Sequence, residues 1–230
     1  MAGIMKLYEI FEDIEDDEDD DITYTHQPVP WSPPTDFSDE MSDHFNKIWP
    51  EIVSNCRNAL IAMKHADIKA KRMFLYRGVR SNPGMIAKLR SREDRKPLST
   101  RKNKHEFIDN WMKEHGLKAT RSNSIFASSS YLTARSYATA TKTTHDPAVM
   151  LIIPCDNANI TWSPKIEDMY NDMPNSDEGK MITFLENSDF KSDDLCGALC
   201  SKNELMINGE YWALDTRYMV MIREKLNEIN

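Results

Sequence analysis

The chain has 230 residues, is 40% hydrophobic and carries a formal net charge of −8 at pH 7, which suits one good-sized domain with an appendage. No run reaches the roughly 18–20 apolar residues of a membrane span, and the acidic start lacks the regions of a secretory signal, so a soluble, cytosolic protein without a membrane partner is expected. Its four cysteines lack the paired spacing of a zinc site and read as free thiols, with no metal expected, and none of its seven glycines falls in GxGxxG or GxxxxGK, which excludes Rossmann and P-loop phosphate cradles.

The charge lies in blocks. Glu9 to Asp21 holds ten carboxylates and no base, so the remainder is close to neutral. Residues 64–121 carry 17 Lys and Arg against 6 Asp and Glu, whereas residues 122–230 carry 9 against 16. A polyanionic ligand for the basic middle and neutralisation of it by the tail both fit this pattern. Residues 1–37 read as an extension: the acidic run repels itself and is expected to be disordered in isolation. The four prolines between Gln27 and Pro34 favour an extended, polyproline-like path.

From Ser38 the apolar residues Phe45, Ile48, Trp49, Ile52, Val53, Cys56 and Leu60 fall at helical spacing, which predicts a helical layer over 38–72 with a kink or break at Pro50. A strand is expected at 73–76, then a basic loop over 79–102 with a turn at Asn82-Pro83-Gly84. The amphipathic stretch 104–114 predicts a helix stopped by Gly116. A strand at 124–127 leads through Ser128-Ser129-Ser130 into a helix over 131–139. Further strands are expected at 149–153, 204–207, 211–214 and 218–222, with short helices opened by Ser163-Pro164 and by Ser176-Asp177-Glu178, and a loop over 189–203. Trp162 reads as a packing anchor for an inserted element. Short strands among helices, without regular βαβ alternation, argue for an α+β fold in a single domain over 38–230.

Three polar features stand where apolar strands begin or end. Arg77 follows Phe74-Leu75-Tyr76 and precedes Gly78, a placement that suits bidentate phosphate binding or a surface ion pair. Ser128, Ser129 and Ser130 follow Phe126-Ala127, and three hydroxyls exceed what one helix cap requires. Glu204 stands at the start of Leu205-Met206-Ile207. Arg121 suits a phosphate or an acidic neighbour equally. Arg90, Arg92, Arg95, Lys96, Arg101, Lys102 and Lys104 are more bases than one dinucleotide needs.

In this order, Tyr76-Arg77-Gly78, Phe126-x-Ser128-Ser129-Ser130 with Ala134 and Tyr137 behind it, and Glu204-Leu205-Met206-Ile207 resemble the motifs of the ADP-ribosyltransferase family of the arginine-serine-glutamate type, over about residues 70–225. Arg121-Ser122-Asn123-Ser124-Ile125-Phe126 is similar to bacteriophage members. The resemblance implies a split mixed or antiparallel sheet core with flanking helices, an NAD-binding and catalytic core over 73–225, and NAD as substrate. It implies Glu204, Ser128 and Arg77 as catalytic residues: Glu204 on the ribose 2′-hydroxyl, Arg77 on the pyrophosphate, Ser128 bonded to Glu204. Tyr76, Arg77, Gly78, Arg121, Ser128, Ser129, Ser130 and Tyr131 would bind the cofactor, with Tyr76 and Tyr131 read either as nicotinamide neighbours or as core aromatics. The loop before Glu204 would face the acceptor, with Lys202, Phe190 and Leu199 as recognition residues. Two departures stand out: Lys202 occupies the position where family members carry Glu or Gln, and the 76 positions from Ser128 to Glu204 require an inserted element around 162–187. The expected activity is transfer of ADP-ribose to a host protein or nucleic acid, in the host cytoplasm. The alternatives are an inactive transferase-like module that binds nucleic acid or a partner, and a structural component carried in a virion.

Overall fold

A computed structural model describes residues 22–24, 37–71, 73–79, 82–96, 102–139, 148–174 and 177–229. The acidic run and the proline-rich segment lie outside these residues. Two helices open the body. Met41, Phe45, Trp49 and Ile52 bury one side of α1 (Phe37–Asn55), which continues through Pro50, so the break between the helices comes at Cys56 and not at the proline. α2 (Arg57–Ala70) then buries Ala59, Leu60, Met63 and Ala66 and ends in left-handed Lys71.

The strands form two antiparallel sheets. The first contains β1 (Ile22–Tyr24), β2 (Leu75–Val79), β3 (Ile86–Ser91), β5 (Ala148–Pro154) and β9 (Glu210–Asp215), in the order β1-β3-β9-β5-β2. The second contains β4 (Ile125–Ala127), β6 (Asn159–Trp162), β7 (Lys191–Ser192) and β8 (Leu205–Asn208), in the order β4-β8-β6-β7. The α+β expectation holds at this level. Around the sheets lie α3 (Lys102–Glu114), α4 (Tyr131–Thr139), α5 (Met169–Asp172), α6 (Glu178–Glu186), α7 (Leu195–Ser201) and α8 (Met219–Glu228). Among the described residues no helix is long and apolar enough to cross a membrane.

Two hydrophobic cores result, because strand side chains alternate between faces. Ile125, Ala127, Leu205, Ile207 and Trp162 join Phe45, Leu60, Leu75, Leu151 and Leu214 in the larger core. Met206 turns the other way, into a smaller core with Ile108, Met112, Met169, Met173 and Leu185.

Several expectations are corrected. Residues 86–91 are a strand inside the expected basic loop: Ala87, Leu89 and Ser91 point inward while Ile86, Lys88 and Arg90 point outward, an alternation that small inward residues obscure. Residues 218–222 are helical. Asp215 accepts the Arg217 N–H at 2.9 Å and starts a helical turn, and Tyr218, Ile222 and Leu226, four apart, are buried. Pro164-Lys165 forms a turn, and the helix starts only at Met169. The expected loop over 189–203 contains β7 and α7, the latter capped by the Asp194 carboxylate on Gly197 N–H at 2.9 Å.

Candidate functional site

The motifs meet where the two sheets touch. Tyr76 and Ser128 exchange both backbone bonds, Tyr76 N–H to Ser128 O at 2.7 Å and Ser128 N–H to Tyr76 O at 3.0 Å. The arginine strand is thereby joined to the serine cluster. Arg77 Nη1 donates to the Phe126 carbonyl at 3.1 Å. Tyr76 meets Tyr131 edge to face, with centroids 5.6 Å apart, and Tyr131 is exposed at the start of α4. Gly78 lies under α4: a Cβ there would stand 2.1 Å from the Ala134 carbonyl oxygen and 2.6 Å from Ala138 N. Helix packing, not ligand approach, accounts for this glycine.

Ala127 pairs with Leu205 and Phe126 with Met206. Carried one step further, that register sets Ser128 opposite Glu204, and strand alternation puts both on the face of Phe126 and Met206. The bond expected between them is replaced, however. Ser128 Oγ donates to the Lys202 carbonyl at 2.7 Å and accepts Ser130 N–H at 3.1 Å. The serine thus fixes the turn before the glutamate, where Lys202 is left-handed at φ 86° with its side chain exposed. Ser130 Oγ accepts Thr133 N–H at 3.3 Å and caps α4, and Ser129 is buried.

Glu204 donates its backbone N–H to Glu167 O at 2.9 Å, and its carboxylate accepts Met169 N–H at 3.4 Å. The carboxyl is half-buried against the segment 167–169. Burial pushes it up to about 7, the charge of Asp168 adds to the rise, and Arg121 and Arg95 oppose it. Asp168 Oδ2 accepts the Tyr137 hydroxyl at 2.5 Å and Asn171 Nδ2 at 2.7 Å. Burial and the charges of Glu204 and Asp168 push the Tyr137 hydroxyl upward, so it remains a donor.

The cations near Glu204 flank one ring. Arg95 and Arg121 place their guanidinium carbons 4.3 Å and 5.0 Å from the Phe126 centroid. Arg121 is buried on a turn that α3 holds: Asp109 accepts Ser122 N–H at 2.7 Å and Ser122 Oγ at 2.8 Å, and pairs with Lys113 at 2.7 Å. Buried His105 is pushed down to about 4 by burial and then by Arg121, so its imidazole is neutral at pH 7.

Tyr76, Arg77, Arg121, Ser128, Ser130, Tyr131, Lys202 and Glu204 therefore gather around one junction. Phe190 instead packs, partly buried, against the smaller core, 5.8 Å from Trp111 between ring centroids. Leu199 is fully buried in the larger core and presents nothing to an acceptor, contrary to expectation. The sequence alone ties none of Asp168, Arg95 and His105 to the site, and it marks Tyr137 only by its helical offset behind the serines. No motif flags Asp168, which lies 36 positions from Glu204. All four cysteines are free, and the described residues hold no cluster of three or more His, Cys, Asp or Glu arranged for a metal. No family model, curated protein or solved structure matches the chain.

Proposed function

We propose that the chain is an NAD-dependent mono-ADP-ribosyltransferase of phage type, cleaving the nicotinamide–ribose bond and transferring ADP-ribose to a host macromolecule. The carrying observation is that the backbone segments bearing Arg77, Ser128 and Glu204 are joined at one sheet junction, through the Tyr76–Ser128 bridge and the β4–β8 register. An α+β fold with two antiparallel sheets is compatible with the split core that the resemblance implies.

Cleavage of the glycosidic bond builds an oxocarbenium-like ribosyl cation, as in glycoside hydrolysis. Ionised Glu204, accepting the ribose 2′-hydroxyl, stabilises that charge in a partly desolvated position where electrostatic effects are enlarged. Arg77 is the candidate for the pyrophosphate, and the Tyr76–Tyr131 pair is the candidate aromatic surface for nicotinamide or ribose. Ser128 acts through the backbone, holding the Lys202 turn from which Glu204 emerges.

Purified protein incubated with labelled NAD and host lysate is expected to release nicotinamide and label a lysate component. Glu204→Gln is expected to lower both by about 10²–10³-fold. Absence of release and labelling by the unaltered chain, together with no NAD binding in calorimetry, overturns the reading.

A further inference from the structure

We propose that Asp168 is the general base of this reaction, taking the proton from the acceptor as it attacks the ribose; this rests on the transferase reading above. A neutral acceptor, whether water, a hydroxyl or an amide, must lose a proton when it bonds to the ribosyl carbon. Glu204 is engaged by the 2′-hydroxyl in its assigned role. Lys202, two residues before it, carries an ammonium group that only donates. A second carboxylate is needed, and glycosyl transfer commonly divides its work between two.

The fold supplies one. The Glu204–Glu167 backbone bond and the Met169 N–H on the Glu204 carboxylate bring the 167–169 segment alongside the proposed catalytic glutamate. Both carboxylates are half-buried, neither sealed in the core nor fully solvated. Asp168 is also oriented from a separate helix, because Tyr137 on α4 donates to Oδ2 at 2.5 Å while Asn171 donates to the same oxygen at 2.7 Å. A residue serving only to start the four-residue α5, through Asn171 N–H to Oδ1 at 3.4 Å, has no use for Tyr137.

The step balances without an outside oxidant or reductant. The ribose C1′–nitrogen bond breaks and its electron pair leaves with nicotinamide. The acceptor lone pair forms the new C1′ bond, and the acceptor proton passes to the Asp168 carboxylate and then to solvent.

The test compares acceptors with and without a proton. In Asp168→Asn, ADP-ribose formation from NAD and water is expected to fall about 10²-fold. Sodium azide, an anionic nucleophile needing no base, is expected to restore nicotinamide release and yield ADP-ribosyl azide. Glu204→Gln is expected to gain nothing from azide. Tyr137→Phe, which keeps the carboxylate but removes its orienting bond, is expected to lose about 10-fold with water and to be lifted by azide as well. Full-rate turnover with water by Asp168→Asn, or a slow variant of unchanged melting temperature that azide does not raise, overturns the assignment to Asp168 alone. An unaltered chain that releases no nicotinamide overturns the transferase reading and removes the step Asp168 would serve.

Discussion

The two faces of the four-stranded sheet use the same strands for different work. On one face Ile125, Ala127, Leu205 and Ile207 are at most 5% exposed and locked into the larger core. On the other, Phe126 and Met206 meet a core rich in methionine, and one step further along the same strands come Ser128 and Glu204. A period of two thus separates the larger core from the proposed site without a change of element. Neighbouring positions should therefore respond differently to substitution.

The sharpest contrast is between Ile207 and Met206. Ile207→Ala leaves a cavity in a fully buried site and is expected to lower unfolding stability by roughly 2–5 kcal/mol. Met206→Leu, a volume-conserving change among adaptable neighbours, is expected to cost under about 1.5 kcal/mol. Urea denaturation of the two variants measures both, and equal losses would break the distinction.

Glu204 gives the next largest effect, and its sign is set by burial. Its folded value of about 7 lies above the ordinary 4.5, so the folded state holds the proton more tightly than the unfolded chain. The resulting stability is present below pH 4.5 and lost as pH rises to about 7, on the order of 3 kcal/mol in all. Asp168 deepens the loss, while Arg121 and Arg95 limit it. Glu204→Gln is expected to melt above the unaltered chain at pH 8 and close to it at pH 4. In the proposed reaction the same ionisation is required, so turnover should rise through pH 7 as stability falls.

Ser128→Ala is the mildest change. It removes the bond to the Lys202 carbonyl and is expected to cost about 0.5–1.5 kcal/mol. Because Ser128 acts on the turn and not on the carboxylate, the pH midpoint of turnover should stay unchanged. A displaced midpoint would instead point to direct contact with Glu204.

The sequence made the amphipathic and strongly apolar elements legible: α3, β5 and β9 follow from the pattern of their apolar residues. It also marked Ser128 and Glu204, because polar residues at the ends of apolar strands break a pattern, and Arg77, which lies in the middle of β2 and not at its end. β3 was hidden since Ala87 and Ser91 are too small to register as a buried face. α8 was hidden since Tyr218, Val220 and Ile222 alternate as a strand would, and only the Asp215 cap decides otherwise. Asp168 and Arg95 were illegible for another reason. Their place in the site depends on how loops cross between sheets, and nothing local to either residue encodes it.

Gly78 gives the site its datum. Ordinary van der Waals contact begins at 3.4 Å, and a Cβ here would stand 2.1 Å from the Ala134 carbonyl oxygen. β2 and α4 consequently touch backbone to backbone, with no side chain between them to absorb error. Arg77 projects from one side of that contact and Tyr137 from the other, so their separation is gauged from rigid main chain and not from adjustable rotamers. Even the smallest side chain at this position would lift the helix by about an ångström and carry the Tyr137 hydroxyl away from Asp168, a fault in alignment introduced without touching any polar group.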